Sequence, residues 1–299
     1  MNLLSLEDII QLAEQKKCMI SQIVKEDEAI SLGTTIENIT DHMNGMYDVM
    51  IKVYQEGVAN ELKSVSGLTG TEGFRLWNYA STNNSENVYI KAAARAMGIA
   101  NVNASMGQIV AAPTAGSCGI IPGTLITLAE RYNKTRDEVV NSLFTAGYIG
   151  KVIAENASLS GAEGGCQAEC GSASAMAAGA GVEMRGGTPR QVASAVAFTL
   201  KAVMGLVCDP VAGLVESPCV KRNGFGAAQA ILAIDMALAG IESVIPADEV
   251  IVAMGEVGRS MPAELKETAE GGIAVTPTGK RITEYLKKSS GANCATKKM

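Results

Sequence analysis

The sequence predicts an all-α protein that folds as a single compact domain of closely packed helices. No segment of its 299 residues shows a sustained alternation of apolar and polar residues, which is the pattern of a half-buried strand. Several segments instead open with Ser or Thr followed three residues later by an acid or Gln, a helix-capping pattern. Apolar residues make up 47% of the chain but aromatic residues only 4%. The core must therefore be built from Ala, Val, Ile, Leu, Met and Gly, and small side chains let helices approach closely.

Caps and apolar spacing place the helices in order along the chain. Ser5 begins a helix that runs to about Lys16 and resumes to about Ile30. Thr35 can cap the next helix, in which apolar residues recur at steps of three and four. Further helices are predicted at about 86–97 or 86–106, 121–132, 135–155, 166–182, 188–207, 226–239, 246–259 and 261–270, with functional loops at 63–73, 111–123 and 156–165.

One domain is predicted for residues 1–288, because the glycines are spread among the loops and no linker marks a second domain. From about Gly271 onward the Gly and Pro residues predict an irregular end to the chain. Residues 289–299 are rich in Gly, Ser and Lys, so we expect a flexible tail there.

Charge and composition exclude several classes of protein. The formal net charge is −6 and no basic stripe occurs, which argues against nucleic-acid binding. The first fifteen residues contain acids but no basic region, so they do not resemble a signal peptide. No run of about 20 apolar residues predicts a membrane span. We therefore expect a cytoplasmic protein whose seven cysteines are reduced.

A turn-rich stretch from Asn156 to Asn223 holds four of the cysteines, and it is the main functional candidate. Cys166 follows a Gly/Ser-rich loop, Cys208 precedes Asp-Pro, and Cys219 follows Ser-Pro. Loops could bring such thiolates together around a metal, and sulfur-rich ligation selects zinc or an iron–sulfur cluster. Spacing alone leaves an alternative open, in which these cysteines are small buried apolar residues. Cys170 lies one helical turn after Cys166, which packing alone can explain.

A second candidate is the loop that contains Thr114, Gly116 and Ser117 and leads into a helix. Backbone N–H groups at a helix start can bind a carboxylate or a phosphate. The alternative is an ordinary connection between two helices.

Three long motifs follow one another in the chain, and they are APTAGSCGIIPG, NASLSGAEGGCQAECGSASAMAA and CDPVAGLVESPCVKRN. In this order they resemble the α subunit, or α domain, of the iron–sulfur-dependent L-serine dehydratases. The resemblance covers nearly the whole chain. It implies that Cys166, Cys208 and Cys219 hold a [4Fe–4S] cluster whose fourth iron is open to substrate. Cys118 and Cys170 are additions that we do not assign as ligands, and VKRNGF stands where relatives often have IERNA.

The resemblance also implies an activity, a partner and a role in amino-acid catabolism and gluconeogenesis. The expected reaction is deamination of L-serine to pyruvate and ammonia, with the open iron acting as a Lewis acid on the hydroxyl group. Family members contain a second α/β module or a separate β chain, so we expect this chain to be one subunit of a heteromer. In single-chain relatives a C-terminal cysteine enters the site, which makes Cys294 a candidate for a fourth, transient ligand, although five residues follow it here.

Substrate-binding residues are assigned from their places in the motifs. Thr114, Gly116 and Ser117 are candidates for binding the substrate carboxylate. Five others lie beside the cysteines and could orient substrate or cluster: Asn156, Ser158, Ser160, Arg222 and Asn223. The sequence identifies no general base. It also leaves two other functions open, a cluster-dependent lyase for another amino or hydroxy acid and a non-catalytic, metal-carrying helical subunit.

Overall fold

Helices form all the regular secondary structure in the residues that the computed structural model describes, which are 5–82 and 87–295, with side chains to residue 289. This confirms the predicted all-α fold. The helices are α1 (Leu6–Lys16), α2 (Ile20–Ser31), α3 (Ile36–Ala59), α4 (Glu72–Thr82), α5 (Val88–Ala104), α6 (Ile120–Arg131), α7 (Arg136–Asn156), α8 (Gly161–Gly164), α9 (Ser172–Met184), α10 (Pro189–Ala202), α11 (Cys219–Leu238), α12 (Ala247–Ser260) and α13 (Pro277–Ala295).

The predicted caps begin the helices as expected. The Ser5 hydroxyl accepts a hydrogen bond from the backbone N–H of Asp8 at 3.1 Å. Thr135 and Thr188 each start a helix with a complete capping box, in which the side chain three residues later accepts from the backbone N–H of the Thr. These bonds satisfy donors that the first turn of a helix leaves without a partner.

Small side chains allow the close packing that the composition predicted. All thirteen residues of α9 are buried, and this helix packs against α6, α7, α10 and α11. A Cβ on Gly179 would overlap the side chain of Ile149, and a Cβ on Gly57 of α3 would overlap the backbone of Gly98 in α5. Glycine is required at such positions because the backbone of one helix directly contacts a side chain or the backbone of the next helix.

The structure corrects several predicted boundaries. The predicted helix at 226–239 begins earlier, at Cys219, and the predicted helix at 166–182 consists of a π-helical turn, Gln167–Gly171, followed by α9. The helix predicted at 261–270 is only a 3-10 turn, Ala263–Leu265. Backbone hydrogen bonds to the Cys208 turn, which no local pattern can reveal, fix that segment in a non-helical path.

The predicted irregular end of the chain is also corrected, because α13 begins at Pro277 and its backbone is helical to Ala295. Proline is compatible with the first turn of a helix, where its missing N–H costs nothing. Residues 296–299 and the side chain of Cys294 lie outside the described residues, so the flexibility of 289–299 stays a prediction. None of the helices in the described ranges combines the length and apolar character that crossing a bilayer requires.

Candidate metal centre

Three cysteines that are far apart in the sequence meet in the interior. Cys166, Cys208 and Cys219 are all buried. The Cys166 sulfur accepts hydrogen bonds from the thiols of Cys208 and Cys170, and the charge of Cys166 raises the pKa of the Cys219 thiol. The fold therefore brings together the three predicted ligands and adds a fourth sulfur, that of Cys170.

The turn before Cys166 can be formed only by glycine. Gly165 has a φ of +74°, in the left-handed region. A Cβ there would lie 2.8 Å from Met261 Sδ and 2.9 Å from the Leu206 carbonyl oxygen. Gln167 then fixes the start of the π-helical turn, because its side chain accepts from Gly205 N at 2.8 Å and donates to a carbonyl of α12. The sharp turn and the wide π-helical turn together place Cys166 and Cys170 side by side.

A segment from the far end of the chain holds the turn that carries Cys208. The Cys208 N–H donates to the Leu265 carbonyl and the Glu267 N–H donates to the Cys208 carbonyl, each at 2.8 Å. We refer to residues 262–275 as the strap. A second attachment is made by Asp209, whose carboxylate accepts from the Ile273 N–H at 2.8 Å. The strap therefore fixes the position of the Cys208 thiol.

The electrostatics of the centre favour one thiolate among neutral thiols. Hydrogen bonds from Cys170 and Cys208, together with the nearby Arg222 guanidinium, lower the pKa of Cys166 well below its ordinary value despite burial. The hydrogen bond to Cys166 and burial raise the pKa of Cys208. Burial and the Cys166 charge raise the pKa of Cys219 to about 12. A cation bound here would let the remaining thiols ionise, since a metal draws protons off its sulfur ligands.

This set of donors fits a sulfur-bound metal group. The sulfurs are buried and free of disulfides. The ligand atoms of Cys166, Cys170 and Glu169 lie within 4.8 Å of one another, and among the described residues Cys208 and Cys219 do not belong to that group. Buried sulfur-rich sites suit iron–sulfur clusters and zinc, not magnesium or calcium.

Two carboxylates that sequence reasoning missed lie at the centre. Glu169 is 8% exposed, and burial raises the pKa of its carboxyl to about 7, against a hydrogen bond from Thr114 that lowers it. Such a carboxyl is divided between its protonated and ionised forms at neutral pH, as groups that transfer protons require. Glu267 on the strap acts on the centre through its charge, which contributes to the raised pKa values of Cys208 and Glu169.

A sequence signal existed for only one of these carboxylates. Glu169 stands between Cys166 and Cys170, so a motif-based reading could have assigned it to the site. Glu267 lies 59 residues after Cys208, in a segment predicted as an ordinary helix. Only the long-range hydrogen bonds of the strap bring it to the cysteines.

The predicted carboxylate-binding loop faces Glu169 instead of open space. The Thr114 hydroxyl donates to Glu169 Oε1 at 2.5 Å and lies 3.0 Å from the hydroxyl of Ser117, which is fully buried. A Cβ on Gly116 would overlap the Glu169 carboxylate. All three residues therefore border the centre, and two of them contact one of its protein carboxylates.

Arg222 and Asn223 hold the centre together. Arg222 donates to the Val207 carbonyl and to Asp209, each at 2.9 Å. The Asn223 side chain donates to the Gly116 carbonyl at 2.7 Å and accepts from the Gly119 N–H at 2.9 Å. Asn223 is fully buried. These contacts join the first turn of α11 to the Cys208 turn and to the loop before α6.

The remaining predicted residues make local contacts in the loop before Cys166. Asn156 donates to the Val152 carbonyl one turn earlier in α7. The Ser158 hydroxyl donates to Glu163 at 2.5 Å and accepts from the Ser160 N–H at 3.0 Å. These bonds shape the loop, and a role for the three residues in substrate binding stays a prediction.

The fold and the geometry define an all-α protein with a buried centre of converging cysteines. Residues 15–274 match the family model described as serine dehydratase alpha chain, and the chain belongs to that family. This confirms the resemblance seen in the motifs.

Similar proteins come from several bacteria. One from Bacillus subtilis (strain 168), named probable L-serine dehydratase, alpha chain, is 49% identical over 284 residues and 94% of each chain. The L-serine dehydratase alpha chain of Peptoniphilus asaccharolyticus is 45% identical over 94% of this chain and 97% of that one. The L-serine dehydratase of Mycobacterium bovis is 36% identical over 91% of this chain but only 60% of its own length.

Proposed function

We propose that this chain is the catalytic alpha subunit of an L-serine dehydratase, which converts L-serine to pyruvate and ammonia. The observation that carries the proposal is the meeting of Cys166, Cys208 and Cys219 in one buried centre inside a family whose named members are L-serine dehydratases. A protein that only packs cysteines in its core has no need of a bordering arginine and two carboxylates.

The cofactor that we propose is a [4Fe–4S] cluster held by Cys166, Cys208 and Cys219. When bound, a cluster with an iron that lacks a protein thiolate supplies a Lewis acid for the departing hydroxyl group of serine. Sulfur as the dominant donor supports an iron–sulfur cluster or a zinc ion. The proposed reaction requires a metal with an open coordination position. Cys170 is not assigned as a ligand, although its sulfur adjoins Cys166.

The protein's own residues give the centre its charge balance and its shape. Arg222 places a positive charge beside the Cys166 sulfur and offsets part of the negative charge of the thiolates. The Thr114 hydroxyl holds the Glu169 carboxylate in one orientation. Asn223 fixes the loop before α6, so the distance between the backbone groups of that loop and the cysteines stays constant. Fixed groups of this kind orient a substrate, which favours reaction.

We further propose that the active protein is a heteromer with a β chain. The Bacillus and Peptoniphilus relatives are named alpha chains and are matched over nearly their full length. The Mycobacterium bovis relative is matched over 60% of its length, so it contains a further region that this chain does not match. We propose that this further region corresponds to the separate β chain. A cytoplasmic location is part of the proposal, because an exchangeable iron and reduced thiols require a reducing compartment.

The proposal is tested by assembling the enzyme without oxygen. The chain is coexpressed with its β chain, reconstituted with ferrous iron and sulfide, and assayed for iron, visible absorption and pyruvate formed from L-serine. We expect a brown protein that releases pyruvate. A colourless protein that binds zinc would contradict the cofactor. A brown, fully loaded heteromer that leaves L-serine intact but acts on L-threonine or a hydroxy acid would contradict the substrate.

A further inference from the structure

Glu267 lies on the strap, directly against the turn of a predicted cluster ligand. Its N–H donates to the Cys208 carbonyl at 2.8 Å, and the Cys208 N–H donates to the carbonyl of Leu265. The backbone of Glu267 has a φ of +66°, a left-handed conformation that a residue with a side chain adopts only at a cost. The surrounding hydrogen bonds hold it there, and this conformation sets the direction of its side chain.

The Glu267 carboxylate borders the same small volume as a cysteine sulfur and a second carboxylate. From the point that a Cβ on Gly161 would occupy, Glu267 Oε2 and Cys208 Sγ are each 3.2 Å away. Glu169 Oε2 is 3.6 Å from that point. Glycine at 161 avoids the tight contacts that a Cβ would make with both atoms, and the atoms around this point carry or can carry negative charge.

The carboxylates of Glu169 and Glu267 differ in whether another protein group donates a hydrogen bond to them. Glu169 is almost fully buried and accepts the hydroxyl of Thr114. Glu267 is half-buried, and among the side chains described up to residue 289 none forms a hydrogen bond or an ion pair with its carboxylate. The nearby cation, Arg222, is directed at Asp209 and Val207. A carboxylate partly removed from water without a donor loses hydration that a ligand can restore.

We propose that Glu267 binds the α-ammonium group of the amino-acid substrate and thereby selects amino acids over hydroxy acids. This inference rests on the proposed function. L-serine carries an ammonium, a carboxylate and a hydroxyl group, and the negative surroundings of Glu267 attract only the first of these. An N–H donor with a full positive charge forms a strong, short hydrogen bond to a carboxylate. A hydroxy acid offers a neutral hydroxyl group at this position and loses the charge attraction.

The test compares amino acids with hydroxy acids on variants of the assembled enzyme. Glu267→Gln keeps the shape of the side chain and removes its charge, and Glu267→Asp keeps the charge but shortens the reach. Glu264→Gln, at an exposed position of the same strap, is the matched control. Steady-state kinetics give kcat and KM for L-serine. Titration calorimetry gives the affinities for L-alanine and L-lactate, which lack the leaving hydroxyl and differ from one another only in the amino group.

We expect Glu267→Gln to raise the KM for L-serine and to weaken L-alanine binding, each by about 10- to 100-fold. L-lactate affinity, iron content and the visible absorption should stay unchanged. Glu267→Asp should fall between the wild type and Glu267→Gln, and Glu264→Gln should match the wild type. The inference is overturned by unchanged L-alanine affinity, by equal losses for L-alanine and L-lactate, or by loss of iron in both Glu267 variants. Absence of pyruvate from the wild-type heteromer would instead reject the proposed function, a result separate from the behaviour of the variants.

Discussion

The guanidinium of Arg222 donates to the carboxylate of Asp209 at 2.9 Å, and this ion pair joins the first turn of α11 to the turn that carries Cys208. The other Asp209 oxygen accepts from Ile273 on the strap. The Asp209 side chain is only 4% exposed. One carboxylate therefore connects three segments around the cysteines, and it lies next to Cys208 in the sequence.

Replacing Asp209 with Asn should loosen the centre, because it removes the carboxylate that forms an ion pair with the partly buried Arg222. We expect the free energy of unfolding to fall by about 3 kcal/mol, and the reconstituted protein to retain less iron. Urea unfolding and iron analysis after desalting measure the two effects. Lys16→Gln, which removes the exposed pair between Lys16 and Glu26, is the control and should cost less than about 1 kcal/mol. Equal losses in the two variants would show that the Arg222 pair does not support the centre.

Replacing any one of the three predicted ligands with Ala should abolish both iron binding and activity. This applies to Cys166, Cys208 and Cys219, because each supplies one thiolate of the proposed set. Cys18→Ala, remote from the centre, should be almost silent, and Cys170→Ala should keep its iron. Iron per chain and visible absorption after anaerobic reconstitution give the answer. Full iron content in one of the three variants would remove that cysteine from the ligand set, and loss of iron in Cys170→Ala would add Cys170 to it.

Glu72 should make the stability of the fold depend on pH in the acid range. Burial alone would raise the pKa of its carboxyl, but hydrogen bonds from Lys221, Gly70 and Asn101 outweigh burial and hold the pKa at about 2. In the unfolded chain the pKa is near 4.5. The carboxylate therefore stabilises the fold above pH 4.5, and the contribution is lost as the pH falls from 4.5 towards 2.

We expect Glu72→Gln to lower the free energy of unfolding at pH 7 by about 1 to 2 kcal/mol, a value reduced for partial exposure of the site. The difference from the wild type should shrink as the pH is lowered below 4.5. Urea midpoints measured between pH 3 and pH 7 test this. Glu56→Gln, on the exposed face of α3, should follow the wild-type curve. A constant difference at every pH would mean that the ionised carboxylate of Glu72 is not the source of the stability.

Two glycines of α3 should respond in opposite directions to substitution by Ala. A Cβ on Gly57 would overlap the backbone of Gly98, so Gly57→Ala should force α3 and α5 apart and cost about 3 kcal/mol. Gly45 lies on the same helix with open space around it, so Gly45→Ala should stabilise the protein by about 0.5 to 1 kcal/mol through helix propensity. Thermal unfolding of both variants is the measurement. A harmless Gly57→Ala would contradict the close approach of the two helices.

Cys294→Ser tests whether the end of the chain reaches the proposed open iron. If the thiolate caps the cluster at rest, the variant should lose iron faster in air and show a changed KM for L-serine. The variant and the wild type are compared with the β chain present, by following iron release and activity during exposure to air. Identical half-lives and identical kinetics would assign Cys294 to a tail without a role at the site.

Local patterns determined much of this protein. Ser5, Thr135 and Thr188 were correctly predicted to begin helices, because a cap and its partner lie within four residues of one another. The scarcity of aromatic residues and the abundance of glycine and alanine correctly predicted close helix packing. The three motifs sufficed to recognise the family and to single out Cys166, Cys208 and Cys219 as predicted ligands.

The tertiary structure decided what surrounds the cysteines. Asn223 was predicted to orient the substrate or the cluster, and its side chain is engaged with the backbone of the loop before α6. Glu267 reaches the centre only because the strap pairs with Cys208 and bends through a left-handed residue. The end of the chain was predicted to be irregular because it contains glycine and proline. The structure instead has α13 there. Hydrogen bonds between segments more than 50 residues apart leave no periodic pattern in a sequence, so their effect is visible only in the folded chain.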